Sequence, residues 1–491
     1  MTGDLVLAVD QGTSSTKCVL VDAAGAVVAT GSAPVGIAYP RPGWVQQDAD
    51  EIVASVLAAA RGCLAGVDPA RVAGVGFSTQ RESALLWDAA TGRPVGPVLG
   101  WQDRRSVGVC ERVRAAGHQQ AVRRLSGLPL DPMFSAAKIS WLLAEHDPDH
   151  SRAGAGRLVA GTVDAWLLRA LTGQDRIEAG NASRTQLLDV RDGRWSAELL
   201  SIFDVPAALL PEIVPSAAEL GRIGSDAGVL SGLPIRAVLG DSHAALLAHG
   251  PRSAGGAKVT YGTGSSVMRL VDKPDDDQSA VCLTVAWAAP ELQPALEGNI
   301  RSTGATIVWL AELLGCTQEQ VAQRAAGAAS AGVCLVPAFG GLAAPWWDEA
   351  AVGLISGLTL GSGPDQLARA GIESIAHQVD DVVAAMSGSA GELTHLLADG
   401  GASANDVLMQ IQADLSGLPV LRAQDQQLSA LGAAHLAGRV AGLWADPPSR
   451  PGYDRFTPQL AAADAAQLRR DWRAAVARSR GSVDGHRNLT S

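Results

Sequence analysis

Continuous apolar runs alternate with helical patterns along the chain. Residues 5–9 and 72–77 are apolar throughout, as is typical of buried strands. Farther on, apolar side chains recur at steps of three and four residues, which predicts one face of a long amphipathic helix. These positions are Ile372, Ile375, Val379, Val382 and Met386. The neighbouring Asp380 and Asp381 are assigned to the solvent side of that helix. The alternation indicates a layered α/β architecture.

Breaks in this pattern predict the domain organisation. A chain of 491 residues exceeds one compact core, so two domains are expected. Residues 248–256 interrupt both periodicities, and we predict an N-terminal lobe at 1–248 and a C-terminal lobe at 249–445. A Pro-rich stretch with Pro447, Pro448 and Pro451 then leads to an Arg-rich helix. We predict that 446–491 is a peripheral element whose end, 478–491, is frayed. Near the start, Asp48 and Glu51 have capping-box spacing before a helix.

The first apolar run ends in a turn rich in hydroxyl groups. It closes on Asp10, and Gly12-Thr13-Ser14-Ser15 joins it to a second apolar run that begins after Lys17. The pattern predicts a hairpin whose turn offers backbone N–H groups and hydroxyls to an anion. A carboxylate beside such a turn suits a magnesium nucleotide, because Mg²⁺ prefers oxygen ligands. An ordinary Gly/Ser turn explains this segment equally well.

The same device occurs again half a chain later. Gly262-Thr263 corresponds to Gly12-Thr13, and Ser265-Ser266 corresponds to Ser14-Ser15. Two related hairpins predict two lobes of similar build facing a cleft in which a phosphate chain is held from both sides. Chance similarity of short turns is the weaker interpretation.

Composition restricts the classes of function. The formal charge of −11 argues against nucleic-acid binding, and no apolar run is long enough to span a bilayer. The start of the chain has no basic segment of the kind that opens a signal peptide. Six scattered cysteines are typical of reduced thiols in a cytoplasmic protein and exclude a zinc ribbon. The sequence leaves the oligomeric state open, with a homo-oligomer among the options.

Several polar residues follow predicted buried strands. Asp241 ends one strand and begins a helix, where it could act in a site or simply cap the helix. Arg81 and Glu82 follow another strand, either as ligand-binding groups or as a structural ion pair. Trp101 could cover the apolar face of a carbohydrate or lie half-buried in a core. Gly401, in a Gly-Gly pair before a helix, would let a ligand approach the backbone.

Taken together, these segments resemble the FGGY family of carbohydrate kinases, and within it most closely the glycerol kinases. The matching motifs run in order over nearly the whole chain. They begin at Asp10, Gln80, Trp101, Phe134, Gly161, Asn181, Gly240, Tyr261 and Ala295, and continue at Val336, Gly341, Asp399, Leu408 and Ala430.

The resemblance implies an α/β, two-lobed, actin-like (ribonuclease H-like) ATPase fold with an interlobe cleft. It implies ATP and Mg²⁺ as cofactors, a small polyol or sugar as substrate, and phosphorylation of a primary hydroxyl, with glycerol the default. Asp241 would be the catalytic base, and Asp10 would hold the metal with Asp241 nearby. The substrate residues would be Arg81, Glu82, Trp101, Met133, Asp241, Ser242 and Ser266. The nucleotide residues would be Thr13, Ser14, Ser15, Lys17, Gly262, Thr263, Gly304, Gly401 and Asn405.

The chain departs from the glycerol-kinase pattern where the substrate is chosen. Met133 replaces a tyrosine, Ser242 replaces a glutamine and Ser266 replaces a phenylalanine, while Val308 stands where a glutamine near the nucleotide is usual. Because a site built for one set of hydroxyls discriminates against another, a longer polyol or a ketopentose is the alternative substrate. Xylulose kinases usually have a Gln-Met-His-Gly motif in place of Gln80-Arg81-Glu82, which favours a glycerol-like polyol. A non-catalytic nucleotide-binding protein on the same scaffold is the remote alternative.

Overall fold

A computed structural model describes residues 3–272, 280–387, 391–446 and 452–481. The strands are β1 (Leu5–Gln11), β2 (Ser15–Asp22), β3 (Val27–Pro34), β4 (Gln46–Gln47), β5 (Val72–Thr79), β6 (Ala84–Asp88), β7 (Pro94–Leu99), β8 (Leu158–Gly161), β9 (Arg176–Glu178), β10 (Leu188–Asp189), β11 (Arg194–Trp195), β12 (Glu212–Val214), β13 (Ala217–Arg222), β14 (Pro234–Gly240), β15 (Gly256–Tyr261), β16 (Ser265–Leu270), β17 (Cys282–Ala288), β18 (Leu292–Ile300), β19 (Cys334–Val336), β20 (Leu354–Ser356), β21 (His395–Asp399), β22 (Val420–Ala423) and β23 (Tyr453–Phe456).

The helices are α1 (Ala49–Cys63), α2 (Val107–Ala115), α3 (Gln119–Ser126), α4 (Ser135–His146), α5 (Val163–Thr172), α6 (Ala179–Ser183), α7 (Ala197–Phe203), α8 (Asp241–Ala248), α9 (Gly304–Leu314), α10 (Gln318–Ala326), α11 (Pro364–Met386), α12 (Asp406–Ser416), α13 (Leu428–Val440) and α14 (Ala462–Gly481).

The chain forms two compact units. The first contains the described residues of Met1–Gly250, Leu283–Ala295 and Gln427–Arg450, and the second contains those of Pro251–Cys282, Leu296–Gln426 and Pro451–Ser491. The chain therefore enters the first unit three times. The lobe boundaries predicted above stay a prediction.

The main sheet of the first unit has the strand order β3–β2–β1–β5–β14–β13. The predicted hairpin is confirmed, since β1 pairs antiparallel with β2. Strands β1, β5 and β14 are parallel to one another, so their carboxyl ends meet at one edge of the sheet. Helix α13 lies directly on this sheet, because a Cβ at Gly76 would come within 2.3 Å of the Ala433 carbonyl oxygen.

The second unit repeats the central part of this arrangement. The sheet that contains its hairpin has seven strands, in the order β17–β18–β16–β15–β21–β22–β23. The second predicted hairpin is also confirmed, as β15 pairs antiparallel with β16 and parallel with β21. Each unit therefore has a hairpin whose first strand is flanked by a parallel third strand.

The start of α1 only partly follows the predicted capping box. The Asp48 carboxylate accepts hydrogen bonds from the N–H groups of Asp50 and Glu51, as an N-cap should. The Glu51 side chain does not return to Asp48, because its Oε1 accepts from the Gly36 N–H at 2.8 Å instead. The helix start is as predicted, and the reciprocal bond is not formed.

The long helix predicted around residue 379 is confirmed as α11, but Asp380 and Asp381 do not face solvent. Both carboxylates are buried, because α14 covers this side of the helix. Trp472 of α14 stacks on the ring of His377, and its Nε1 donates to Asp381 Oδ2 at 2.6 Å. The pattern within α11 could not reveal a cover supplied by residues 90 positions later.

This burial gives a pH-dependent contribution to stability. Desolvation raises the pKa of Asp380 to about 7, although Arg469 opposes it. The ionised form is thus penalised in the folded state, and the penalty grows as the pH rises from about 4 to about 7. We expect the melting temperature of Asp380→Asn minus that of the wild type to be larger at pH 8 than at pH 5. Asp464→Asn, at an exposed position of α14, is the control; parallel pH curves for Asp380→Asn and wild type would contradict the expectation.

The C-terminal helix is packed more closely than predicted. Trp472, Ala475 and Val476 of α14 are buried against Val336 and Leu342 of the second unit. Residues 478–481 are helical, so fraying does not begin at Arg478 as predicted. The rest of the tail, 482–491, and Pro447, Pro448 and Pro451 lie outside the described residues. Within the described part of the chain, no helix combines the length and apolar character needed to cross a bilayer.

Candidate active site

Asp10 lies at the carboxyl end of β1, directly before the first hairpin turn. Ser78 Oγ of β5 donates to Asp10 Oδ1 at 2.9 Å, and the Gly12 N–H closes the turn on the Ser15 carbonyl at 3.0 Å. Burial raises the pKa of Asp10 to about 6; the Ser78 bond opposes this shift, and the charge of Asp241 adds to it. Asp10 and Asp241 therefore lie at the same edge of the sheet, near enough for the charge of Asp241 to affect the pKa of Asp10.

A network of amide side chains fixes the turn at Thr13. Gln47 Nε2 donates to the Thr13 carbonyl at 2.8 Å, and Gln80 Nε2 bridges Gln47 and Gln11. Trp101 Nε1 donates to Thr13 Oγ1 at 3.1 Å. Sequence reasoning missed Gln11 and Gln47, and Gln47 lies in no motif that could have identified it. The network places the predicted substrate residue Trp101 against the predicted phosphate hairpin.

The predicted base, Asp241, is the first residue of α8. Gly240 occupies the N-cap position, so Asp241 lies one residue inside the helix, and both of its predicted roles stay predictions. Arg81 Nε donates to Asp241 Oδ1 at 3.1 Å, and the Ser242 N–H donates to the same oxygen at 2.6 Å. The Asp241 side chain stays 40% exposed while that of Arg81 is 5% exposed. The carboxylate is thus held from one side and open on another, as a proton acceptor requires.

Glu82 occupies an unusual backbone position next to Arg81. Its φ is +62°, a left-handed conformation that is uncommon for a residue with a side chain. Its carboxylate accepts from Arg184 Nε at 2.6 Å, and the Arg184 guanidinium lies over the Phe134 ring at 5.1 Å. Both Arg184 and Phe134 belong to motifs noted in the sequence, but no role had been assigned to them. This buried pairing holds Glu82 at the end of β5.

Lys138 connects Glu82 to Met133. Its ammonium donates to the Glu82 carbonyl at 3.3 Å and to the Met133 carbonyl. Burial lowers the pKa of Lys138 to about 8, while the charge of Glu82 opposes that shift. The predicted substrate residues Arg81, Glu82, Met133 and Ser242 all belong to the first unit. Nothing in the sequence singles out Lys138 beyond its being one of few lysines.

The second unit contains a cavity of about 980 Å³ next to the second hairpin. Its lining includes the predicted nucleotide residues Gly262, Thr263, Gly304, Gly401 and Asn405. The turn is fixed against the start of α9, because the N–H groups of Gly304 and Ala305 donate to the carbonyls of Gly262 and Thr263. The five positions, dispersed over 144 residues of sequence, therefore meet at one cavity.

Glycine is required where β21 ends at this cavity. Gly400 has a φ of +86°, and a Cβ there would lie 2.6 Å from the Tyr261 carbonyl oxygen. Asn405 caps α12, as its Oδ1 accepts from the N–H groups of Val407 and Leu408. Ile307, Val308 and Ala322 form an apolar wall of the cavity. Its size and mixed lining suit a nucleoside.

Three further predicted residues have their surroundings described. Ser266 lies in the second unit, where its buried hydroxyl donates to Glu297 Oε1 at 2.9 Å. Lys17, opposite Asp10 in the hairpin, is exposed, and Ser14 is exposed at the turn. The roles predicted for all three stay predictions.

Comparisons with known proteins agree with this geometry. The N-terminal domain of the FGGY family of carbohydrate kinases matches residues 5–248, and its C-terminal domain matches residues 257–441. The chain is 42% identical to a glycerol kinase of Alkalilimnicola ehrlichii, with 97% of this chain and 98% of that protein covered. It is 40% identical to an apulose kinase of Pectobacterium atrosepticum, with the same coverage.

Solved structures confirm the predicted two-lobed actin-like fold. The glycerol kinase of Plasmodium falciparum with ADP has a TM-score of 0.89 and 26% identity, covering 97% of this chain and 98% of that one. The gluconate kinase of Lactobacillus acidophilus shares the fold with a TM-score of 0.88 at 22% identity, over 98% of this chain and 99% of its own. The enzymatic interpretation is confirmed over the non-catalytic one, and the chain belongs to the FGGY family of carbohydrate kinases.

Proposed function

We propose that this ATP-dependent kinase phosphorylates a primary hydroxyl of a small polyol or sugar, with glycerol as the default substrate. The observation that carries the proposal is the Asp241 carboxylate, held at 3.1 Å by Arg81 yet 40% exposed. Glu82 follows Arg81 in the chain, and its carboxylate is fixed by Arg184. This arrangement offers one acceptor for a proton and further groups for neighbouring hydroxyls.

In this proposal, Asp241 accepts the proton of the substrate hydroxyl as the hydroxyl oxygen bonds to the γ-phosphorus of ATP. The bond from that phosphorus to the β,γ-bridging oxygen breaks, and ADP leaves. Arg81 donates to a substrate oxygen and Glu82 accepts from another, so that the reacting hydroxyl is oriented. Phosphoryl transfer needs mainly such alignment and stabilisation of charge. The cavity of the second unit binds the nucleoside, and Thr13 and Thr263 line the phosphates with the N–H groups of their turns.

The residues present also fit a magnesium ion. Among the described residues, no group of three or more His, Cys, Asp or Glu side chains could enclose a metal. Mg²⁺ usually keeps several waters and binds one or two carboxylates together with substrate phosphates, a set to which Asp10 can contribute. Asp10 would hold the ion with Asp241 nearby, and a bound cation would neutralise phosphate charge. Burial raises the pKa of Asp10 to about 6 against the opposing charge of Lys17, so a bound cation would favour the ionised carboxylate.

Three further expectations belong to the proposal. All six cysteines lie within the described residues and none forms a disulfide, which agrees with the reducing cytoplasm in which ATP is available. The lobe boundaries at 248/249 and 445/446 follow the breaks in the sequence. Nucleic acid is not among the proposed ligands, because the net charge is −11.

A sugar larger than glycerol is the second candidate substrate. Met133, Ser242 and Ser266 stand where a phenol, an amide and a phenyl ring are usual among the glycerol kinases that the chain resembles. The 40% identity to an apulose kinase shows that a relative as similar as the glycerol kinases acts on a sugar. Smaller side chains leave room for additional carbons and expose less apolar surface to a three-carbon ligand.

We therefore expect the enzyme to use glycerol with a high KM, or to prefer a longer polyol or sugar. Losing part of a ring contact costs about 25 cal/mol per Å², or ~1 kcal/mol for much of a ring face. ADP formation with glycerol, tetritols, pentitols and ketoses would give kcat/KM for each. The double variant Met133→Tyr with Ser266→Phe should shift preference towards glycerol, and each single variant serves as its control. Tight, preferred use of glycerol by the unmodified enzyme would show that these three replacements are neutral.

A further inference from the structure

Behind Arg81 lies a histidine that the proposed mechanism does not use. His243 of α8 is fully buried, and its Nε2 lies 3.3 Å from Arg81 Nη1. A guanidinium has only donors, so in this contact Nε2 must be the acceptor. The imidazole is therefore neutral, with its hydrogen on Nδ1.

Arg81 is confined on its other sides by the junction of β14 and α8. The aliphatic part of its side chain packs against Gly240, and a Cβ at position 240 would lie 2.4 Å from Arg81 Cδ. Its Nε is directed at Asp241, and its Nη1 at His243. Two residues of one helical turn thus fix two different nitrogens of a single planar guanidinium.

The far edge of the imidazole is also enclosed. A Cβ at Gly180 would lie 3.0 Å from His243 Nδ1 and equally close to both carboxylate oxygens of Glu178. The Glu178 carboxylate is held at the start of α6 by the N–H groups of Gly180 and Asn181 and by the Ser216 hydroxyl. The ring therefore has no room to withdraw from Arg81.

We propose that His243 is a positioning residue for the phosphoryl acceptor. By accepting from Nη1, it holds the plane of the Arg81 guanidinium so that Arg81 can contact both Asp241 and a substrate oxygen. This inference rests on the proposed function, because the proposed function assigns Arg81 to binding of the polyol or sugar. It predicts that a variant without the hydrogen-bond acceptor Nε2 binds the polyol or sugar more weakly and binds the nucleotide as the wild type does.

Two amide variants separate this role from simple packing. A glutamine amide can place an oxygen near the position of Nε2, whereas an asparagine amide reaches only the position of Nδ1. The KM is measured for the polyol or sugar that the wild type uses best. We expect His243→Gln to raise this KM less than about threefold. We expect His243→Asn to raise it about tenfold or more, the size of one hydrogen bond to a charged group. The KM for ATP should stay within about twofold in both variants.

The outcomes are distinct. Equal acceptor KM values for the two variants, or a parallel rise in the KM for ATP, would overturn the positioning role. If His243→Asn does not fold, His243→Leu replaces it, because leucine fills the buried site without offering a hydrogen-bond acceptor. A substrate KM in His243→Leu as low as that of His243→Gln would then overturn the role. Failure of the wild type to phosphorylate any polyol or sugar would instead refute the proposed function.

Discussion

Asp241→Asn is expected to lower kcat by about a hundredfold or more while ATP binding persists. An amide has nearly the same shape as the carboxylate but cannot accept the proton of the attacking hydroxyl, and general-base catalysis typically contributes about 10²–10⁴-fold. The cavity assigned to the nucleoside belongs to the second unit and should not change. Turnover would be measured by coupled detection of ADP, and ATP binding by calorimetry.

Asp192→Asn provides the control, because Asp192 is exposed in a loop of the first unit and has no assigned role. It should retain wild-type kinetics. Wild-type turnover in Asp241→Asn would remove Asp241 from the role of base. Loss of ATP affinity in parallel with turnover would place Asp241 in nucleotide binding instead.

Arg184→Met is expected to destabilise the first unit strongly. Arg184 is fully buried and pairs with Glu82, whose side chain is 8% exposed. Removing one member of a buried pair leaves an uncompensated charge, which costs about 3–5 kcal/mol. The free energy of unfolding in urea, followed by tryptophan fluorescence, would measure this cost.

Two variants sharpen this experiment. Arg184→Met combined with Glu82→Gln should recover part of the stability but not acceptor binding, because the Glu82 carboxylate is assigned to a substrate hydroxyl. Arg176→Met breaks a more exposed pair with Glu212, whose side chain is 67% exposed, and should cost about 1 kcal/mol or less. Equal costs for Arg184→Met and Arg176→Met would show that burial of the Glu82 pair contributes nothing.

The sequence predicted the parts of the fold that depend on local pattern. Both hairpins, the strands before Gln80 and Asp241, and the long helix α11 follow from apolar runs and helical spacing. The cavity of the second unit collects residues that were predicted from family motifs. Part of their specificity has a steric cause, because a position such as 400 has no room for a side chain and requires glycine.

The errors concern contacts between segments distant in sequence. Asp380 and Asp381 are buried because α14 covers them, and Glu51 bonds Gly36 rather than its own helix start. The positioning groups Gln47 and Lys138 had no signal, since single polar residues resemble any solvated side chain. Such contacts are set by packing in three dimensions, which periodicity along one segment does not encode.

The most direct test of the account measures both products of the reaction together. The purified chain would be incubated with ATP, Mg²⁺ and each polyol or sugar, and ADP and phosphate ester would be quantified by ³¹P NMR. We expect one phosphomonoester on a primary carbon for each ADP formed, and both products to appear about a hundredfold or more slowly in Asp241→Asn. ADP released with inorganic phosphate and no ester, for every acceptor tested, would contradict it.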